Sequence, residues 1–120
     1  MTSRLTEVAI DCADPRALAR FWCAVLDYEV QEDEGGYVAI GPAEEGAAPT
    51  LGFQRVPEGK VVKNRLHLDV SPSDSEQDDE VRRLIELGAR RADVGQGDVS
   101  WVVMADPEGN EFCVLATSRP

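Results

Sequence analysis

The sequence predicts an α+β fold made of two tandem βαβββ modules, and three observations carry that prediction. The order of strand-like and helix-like segments over residues 4–56 recurs over residues 64–117, and a shift of about 60 positions lays Glu7 on His67 and the first helix on the second. A polar linker, Pro57 to Lys63, holds a proline, a glycine and two lysines and divides the chain almost in half. At 120 residues the chain is long enough for one compact core and too short for two ordinary domains. The two modules are therefore expected to form a single domain, residues 1–120. Their sheets would bend around a shared concave cleft, with the helices packed on the outer face.

Each element has a local reason. Leu5 to Cys12 alternates, with Val8, Ile10 and Cys12 on one side and Leu5, Glu7, Ala9 and Asp11 on the other, as a first strand should. Asp14 then offers a helix cap and Pro15 suits the first helical position. Leu18, Phe21, Trp22 and Val25 follow at steps of three and four, so this helix has one apolar stripe and should end near Asp27. Three short strands are expected next, at Tyr28 to Gln31, Tyr37 to Ile40 after the Gly35-Gly36 turn, and Thr50 to Val56. The segment Gly41 to Pro49 reads as a loop.

Beyond the linker the pattern restarts. Arg65 to Val70 alternates, putting Leu66, Leu68 and Val70 on a core face and Arg65, His67 and Asp69 on the other. A second helix is expected from Glu76 to Leu87. Its first turns carry Glu76, Asp78, Asp79 and Glu80 where the helix dipole favours negative charge, Val81, Leu84 and Ile85 form its buried stripe, and Gly88 stops it. Strands at Arg91 to Val94, Ser100 to Ala105 and Asn110 to Ala116 complete the module, the last two joined by the turn sequence Asp106-Pro107-Glu108-Gly109.

Composition excludes several functions. A formal net charge of -11 repels nucleic acid and anionic membranes at long range. No apolar run approaches the roughly 20 residues that span a bilayer, and the N-terminus lacks a charged-then-apolar secretion signal. A cytoplasmic location is expected. The three cysteines, Cys12, Cys23 and Cys113, have no Cys-x-x-Cys spacing and an odd count, which suits reduced thiols. Cys12 and Cys23 read as small packing residues. The sequence holds no nucleophile elbow, phosphate-cradling glycine loop or dinucleotide fingerprint.

Four stretches, Leu5-Thr-Glu-Val-Ala-Ile-Asp-Cys-Ala-Asp-Pro, Ala19-Arg-Phe-Trp, Asn64-Arg-Leu-His-Leu-Asp-Val and Asp106-Pro-Glu-Gly-Asn-Glu-Phe-Cys-Val-Leu, carry a resemblance to the vicinal oxygen chelate superfamily. That group includes glyoxalase I, extradiol dioxygenases, fosfomycin-resistance enzymes and bleomycin-binding proteins. The chain resembles most its small bacterial glyoxalase-like domain proteins, over essentially its whole length. In metal-dependent members, inward-facing histidines and glutamates from the first and last strands of each module hold a divalent ion with open coordination sites. A ligand with adjacent oxygens chelates it and has its developing charge stabilised.

Carried onto this sequence by motif, the four metal positions are Glu7, Gln54, His67 and Cys113. Only His67, the chain's single histidine, keeps the family's usual residue. Gln54 offers a weak carbonyl oxygen and Cys113 a soft thiolate, while Glu111, on the same side of its strand as Cys113 and about 7 Å away, is the alternative ligand to Cys113. Each has a plainer reading as well. Glu7 would pair with Arg65 or another arginine, Gln54 would hydrogen-bond within the cleft, and Cys113 would pack. A Cys113–His67 thiolate pair is disfavoured, since nothing nearby announces an activated thiol. Asp11 and Asp69 are accounted for as strand-end caps or solvated turns. Trp22 belongs to the core, whereas Arg65, Tyr37, Trp101 and Val103 are expected to line a substrate pocket.

The resemblance implies two functions of different kinds. One is a lyase, isomerase or dioxygenase-type enzyme that holds one divalent metal ion, Zn, Ni, Mn or Fe, with Glu7 or Glu111 as the base that moves a proton beside a carbonyl. The other is a metal-free protein of the bleomycin-resistance type that sequesters or senses a small molecule. In both, the partner is a small-molecule ligand. Exposed sheet edges and the family's habit imply a homodimer.

Overall fold

A computed structural model describes residues 1–44 and 46–116. The expected end of the second module, at residue 117, lies outside the described residues. The architecture is α+β, with two helices and two four-stranded mixed sheets. The chain divides into two compact units, Met1–Gly59 and Lys60–Pro120.

The first unit runs β1 (Glu7–Cys12), α1 (Pro15–Leu26), β2 (Glu29–Asp33), β3 (Tyr37–Gly41) and β4 (Thr50–Arg55), with sheet order β1-β4-β3-β2. β1 and β4 are parallel and the other pairs antiparallel. The second unit repeats this with β5 (Leu68–Val70), α2 (Gln77–Leu87), β6 (Arg90–Arg91), β7 (Val102–Ala105) and β8 (Glu111–Val114), in the order β5-β8-β7-β6. Again only the pair of outer first strand and last strand is parallel.

In the first unit, register sorts the residues into two faces. Val8 and Leu51, Ile10 and Phe53, Val38 and Phe53, and Ile40 and Leu51 are partners, so one face is continuously apolar. The helix α1 packs on β3 and β4. The Asp14 carboxylate accepts the Ala17 N–H at 3.1 Å and Pro15 opens the helix, as the sequence implies. Its stripe is buried, and Trp22 meets Phe21 edge to face at 5.2 Å. Burial of each such large side chain stabilises the fold by about 1.5–3 kcal/mol. The helix stops where Asp27 takes a left-handed conformation, φ 56°.

Strand ends depart from expectation, slightly in the first unit, where β2 is Glu29–Asp33 and not residues 28–31, and more in the second. β5 begins at Leu68, not Arg65, and residues 65 and 66 form a bend. The reason is that the Asn64 N–H donates to the Glu111 carboxylate at 3.2 Å, so the backbone there is held by a side chain instead of a ladder. The period of two fails with it, and Leu66, expected in the core, is 87% exposed. β6 covers Arg90–Arg91, not residues 91–94. There Asp93 accepts the Gly95 N–H at 2.8 Å, and Gln96 accepts the Val94 N–H at 2.9 Å, curling the chain out of the sheet. β7 starts at Val102, leaving Ser100 and Trp101 outside it, and β8 stops at Val114.

On α2, Val81 and Leu84 are fully buried, but Ile85 is 44% exposed because the buried stripe is narrower than predicted. The turn between β7 and β8 is fixed by the buried Asp106. Its Oδ1 accepts the N–H groups of Glu108 and Asn110, each at 2.9 Å, and both carboxylate oxygens take the Asn110 amide. Gly109, with φ +87°, supplies the conformation that closes it. Among the described residues, no helix is long and apolar enough to cross a membrane.

Candidate functional site

In the second unit, Asp69 on β5, Cys113 on β8 and Val103 on β7 are lateral partners in register. Their side chains therefore share one face of the sheet, opposite the apolar face that carries Leu68, Phe112 and Met104. His67 lies just before β5, and its Nδ1 is 3.1 Å from Asp69 Oδ1. One donor atom each from His67, Asp69 and Cys113 falls within 4.8 Å of the other two. His67 and Asp69 are open to solvent, while Cys113 is buried. Burial, followed by the negative charge of Asp69, pushes the Cys113 thiol up; the S–H donates to that carboxylate, and the Lys63 ammonium opposes the shift. Without a metal, Cys113 is a neutral thiol at ordinary pH.

Beside this trio is a pocket of about 170 Å³ whose walls include His67, Cys113, Lys63, Gln96 and Trp101. Val94, Val103, Asn64 and Glu111 complete it. Trp101 and Val103, both expected in a pocket, are here; Arg65 is exposed in its bend and is not a wall residue. Glu111 is engaged elsewhere. The Lys60 ammonium straddles its carboxylate, 3.0 Å from Oε1 in a hydrogen bond and 2.8 Å from Oε2 in an ion contact without hydrogen-bond alignment. Burial acts to raise the Glu111 carboxyl more than any other single influence. The hydrogen bonds from Lys60 and from the backbone N–H groups of Glu111 and Asn64, with the Lys60 charge, outweigh it, and the net shift is downward. Glu111 thus ties the 60–64 segment to the end of β8, and its lowered basicity makes it a poor proton acceptor.

The other predicted site residues lie in the first unit, on the polar face of its sheet. Tyr37 on β3 donates its hydroxyl to Glu7 Oε1 on β1 at 2.5 Å. The two side chains meet over Gly52 on β4. A Cβ there would stand 2.7 Å from the Tyr37 hydroxyl oxygen and 2.9 Å from Glu7 Cδ, so only glycine leaves room. The hydrogen bond to Glu7 is the main reason the Tyr37 phenol is pushed up to about 12. Gln54, next to Tyr37 in register, donates its amide to the carbonyls of Gly36 at 3.2 Å and Arg55 at 3.3 Å. Of the four family metal positions, Glu7 and Gln54 are thus occupied with hydrogen bonds, while His67 and Cys113 converge.

Asp69 is the functional candidate that the sequence reading set aside. The signal was present, since alternation put it on the side of His67, but its place at a strand end invited a capping role. Register against Cys113 shows that it belongs to the cluster.

The donor set suits a metal ion. Imidazole, carboxylate and thiolate are all ligands of a tetrahedral ion such as zinc, with metal–ligand distances of roughly 2.0–2.3 Å and donors about 3.5 Å apart. Atoms already within 4.8 Å reach that spacing by small side-chain rotations. The trio fits a divalent ion.

A duplicated βαβββ unit with one polar sheet face per module is the design of the vicinal oxygen chelate class. Residues 7–115 match the profile of the glyoxalase-like domain, and the chain belongs to that family. Solved structures agree in fold. A glyoxalase/bleomycin resistance protein/dioxygenase family enzyme from Burkholderia phytofirmans is 20% identical with TM-score 0.69, covering 93% of this chain and 97% of its own. An Agrobacterium tumefaciens protein solved by NMR is 17% identical with TM-score 0.74, over 98% and 100%. A mutant of the fosfomycin resistance protein FosX from Listeria monocytogenes, complexed with Mn(II) and a dihydroxypropylphosphonic acid, is 16% identical with TM-score 0.72, over 98% and 93%. At such identities the likeness is one of fold. No protein of curated function matches the sequence.

Proposed function

We propose that this chain handles a small molecule in the pocket of its second unit, as a metal-dependent lyase, isomerase or oxygenase of the glyoxalase-like family. The reading rests on one observation, the convergence of His67, Asp69 and Cys113 beside the pocket. These three residues would hold one divalent ion. The bound ion would polarise the oxygens of a ligand in its open coordination positions. His67 is oriented for that role by the Asp69 carboxylate at 3.1 Å, and burial of Cys113 shields one side of the site from water. Cys113 shifts the preference toward thiophilic ions, zinc above manganese, because a thiolate is a soft donor.

The test is elemental analysis of protein purified without a metal-affinity tag, before and after reconstitution with zinc. Near-stoichiometric metal in the wild type, lost in His67→Ala and reduced in Asp69→Asn, supports the reading. No metal in any sample after reconstitution refutes it.

A second reading is favoured by a different observation: Glu7 and Gln54, two of the four family positions, are already satisfied by Tyr37 and by backbone carbonyls. On that reading the protein is a metal-free binder of the bleomycin-resistance type, and the demetallated protein would bind its ligand stoichiometrically without turnover. Both readings include a homodimer, with the exposed edges β2 and β6 as places where a second copy can add. A monomer in sedimentation at micromolar concentration would defeat the dimer. A cytoplasmic location belongs to the same proposal, since an odd cysteine count without Cys-x-x-Cys spacing suits reduced thiols.

A further inference from the structure

We infer that the pocket of the second unit takes a small planar carboxylate, about one ring in size, whose flat body lies on Trp101 and whose charge is met by Lys63. This rests on the reading of that pocket as the ligand site, but not on a metal being bound.

Charge is the first argument. The chain is strongly acidic, yet its only two lysines, Lys60 and Lys63, fall within four residues of each other beside this pocket. They do different things. Lys60 neutralises Glu111 at 2.8 Å, so the one carboxylate in the pocket wall presents little net charge. Asp69 is not a wall residue, and its carboxylate lies 3.1 Å from His67. Lys63 donates to the Asn64 carbonyl at 3.1 Å and, among the described residues, is in no ion pair. Of the two charged side chains in the pocket wall, Lys63 and Glu111, Lys63 is the one without an ion-pair partner among the described residues. A neutral ligand covering that ammonium would strip water from it without compensation, whereas an anion supplies the compensating charge.

Shape is the second argument. Trp101, 41% exposed, lines the pocket, and Val94 and Val103 extend its apolar wall. A flat indole beside a slot favours a flat ligand by offset stacking. The volume of about 170 Å³ sets the size, because a cavity of about 150 Å³ in another protein is known to accept benzene. The third argument is a spare donor. The Gln96 side-chain amide has two N–H groups, and its one contact, to the Ala92 carbonyl, is long at 3.5 Å. Its oxygen is fixed by the Val94 N–H at 2.9 Å, which leaves an N–H to meet a ligand oxygen.

The experiment uses benzoate as the probe, with benzyl alcohol and acetate as controls, titrated into EDTA-treated protein and followed at the indole N–H signals by NMR. Trp22 is 1% exposed and serves as the internal reference. Benzoate is expected to shift the Trp101 signal and leave Trp22 unmoved, and to bind about tenfold tighter than either control. Lys63→Gln, an exposed change that spares the core, should weaken benzoate about tenfold and leave benzyl alcohol unaffected; Lys63→Arg should retain binding. Equal affinity for benzoate and benzyl alcohol, an unchanged affinity in Lys63→Gln, or no response at Trp101 would overturn the inference. Because metal is absent throughout, these outcomes are independent of the elemental analysis.

Discussion

Replacing Lys60 with methionine isolates the interaction that ties the 60–64 segment to the end of β8. The variant keeps most of the apolar stem of the side chain and removes the charge, leaving the Glu111 carboxylate with the backbone N–H groups alone. The Glu111 and Lys60 side chains are 10% and 24% exposed, so the pair lies between two limits. Exposed ion pairs contribute about 0–1 kcal/mol, and stripping one partner from a fully buried pair costs about 3–5 kcal/mol. We expect about 2 kcal/mol at neutral pH, equivalent to a fall in Tm of about 8 °C for a chain of this length. The pH dependence has a definite sign. The Glu111 carboxyl is held below its ordinary range, so its contribution is complete above the unfolded-state pKa of about 4.3 and is lost as pH falls through the lower folded value. Urea unfolding of wild type and Lys60→Met should therefore differ by about 2 kcal/mol at pH 7 and converge near pH 2–3. A Glu111→Gln, Lys60→Met double-mutant cycle gives the coupling directly. An equal penalty at both pH values, or a coupling below about 0.5 kcal/mol, would refute the assignment of Glu111 to the loop.

The remaining expectations concern the scaffold. With the Tyr37 phenol held at about 12 by Glu7, ultraviolet titration should show one tyrosine ionising near that value, and Glu7→Gln should bring it back toward 10. The raised value means that the bond's stabilisation is full below pH 10 and disappears as pH rises through about 12. Gly52→Ala should disrupt the same pair sterically, lowering the Tyr37 pKa and destabilising the fold by about 1–3 kcal/mol in thermal unfolding. A wild-type tyrosine titration in that variant would contradict the close approach. Asp106→Ala should cost about 1–3 kcal/mol, because it strips the half-buried N–H groups of Glu108 and Asn110 of their acceptor. An unchanged unfolding midpoint would show that the turn does not depend on the carboxylate.

The sequence alone determined the repeat, the order of elements and the helix that anchors the first sheet. These rest on local physics: periodicity, the Asp14 cap, Pro15, and the Asp106 to Gly109 turn act within a few residues of themselves. They were legible for that reason, whereas His67 and Cys113 were set side by side only by the family resemblance. Tertiary structure decided the rest. Whether residue 66 was in a strand depended on the Glu111 carboxylate, 47 positions away from Asn64 in sequence, capturing a backbone N–H. Whether Asp69 was a cap or part of the cluster depended on its lateral register with Cys113. Whether Glu7 was a free carboxylate depended on Gly52 being small enough for Tyr37 to reach it. Each of these is a contact between segments distant along the chain, and a one-residue change in register would reverse which side chains share a face. Period and capping specify which elements form; pairing between them selects the atoms that meet.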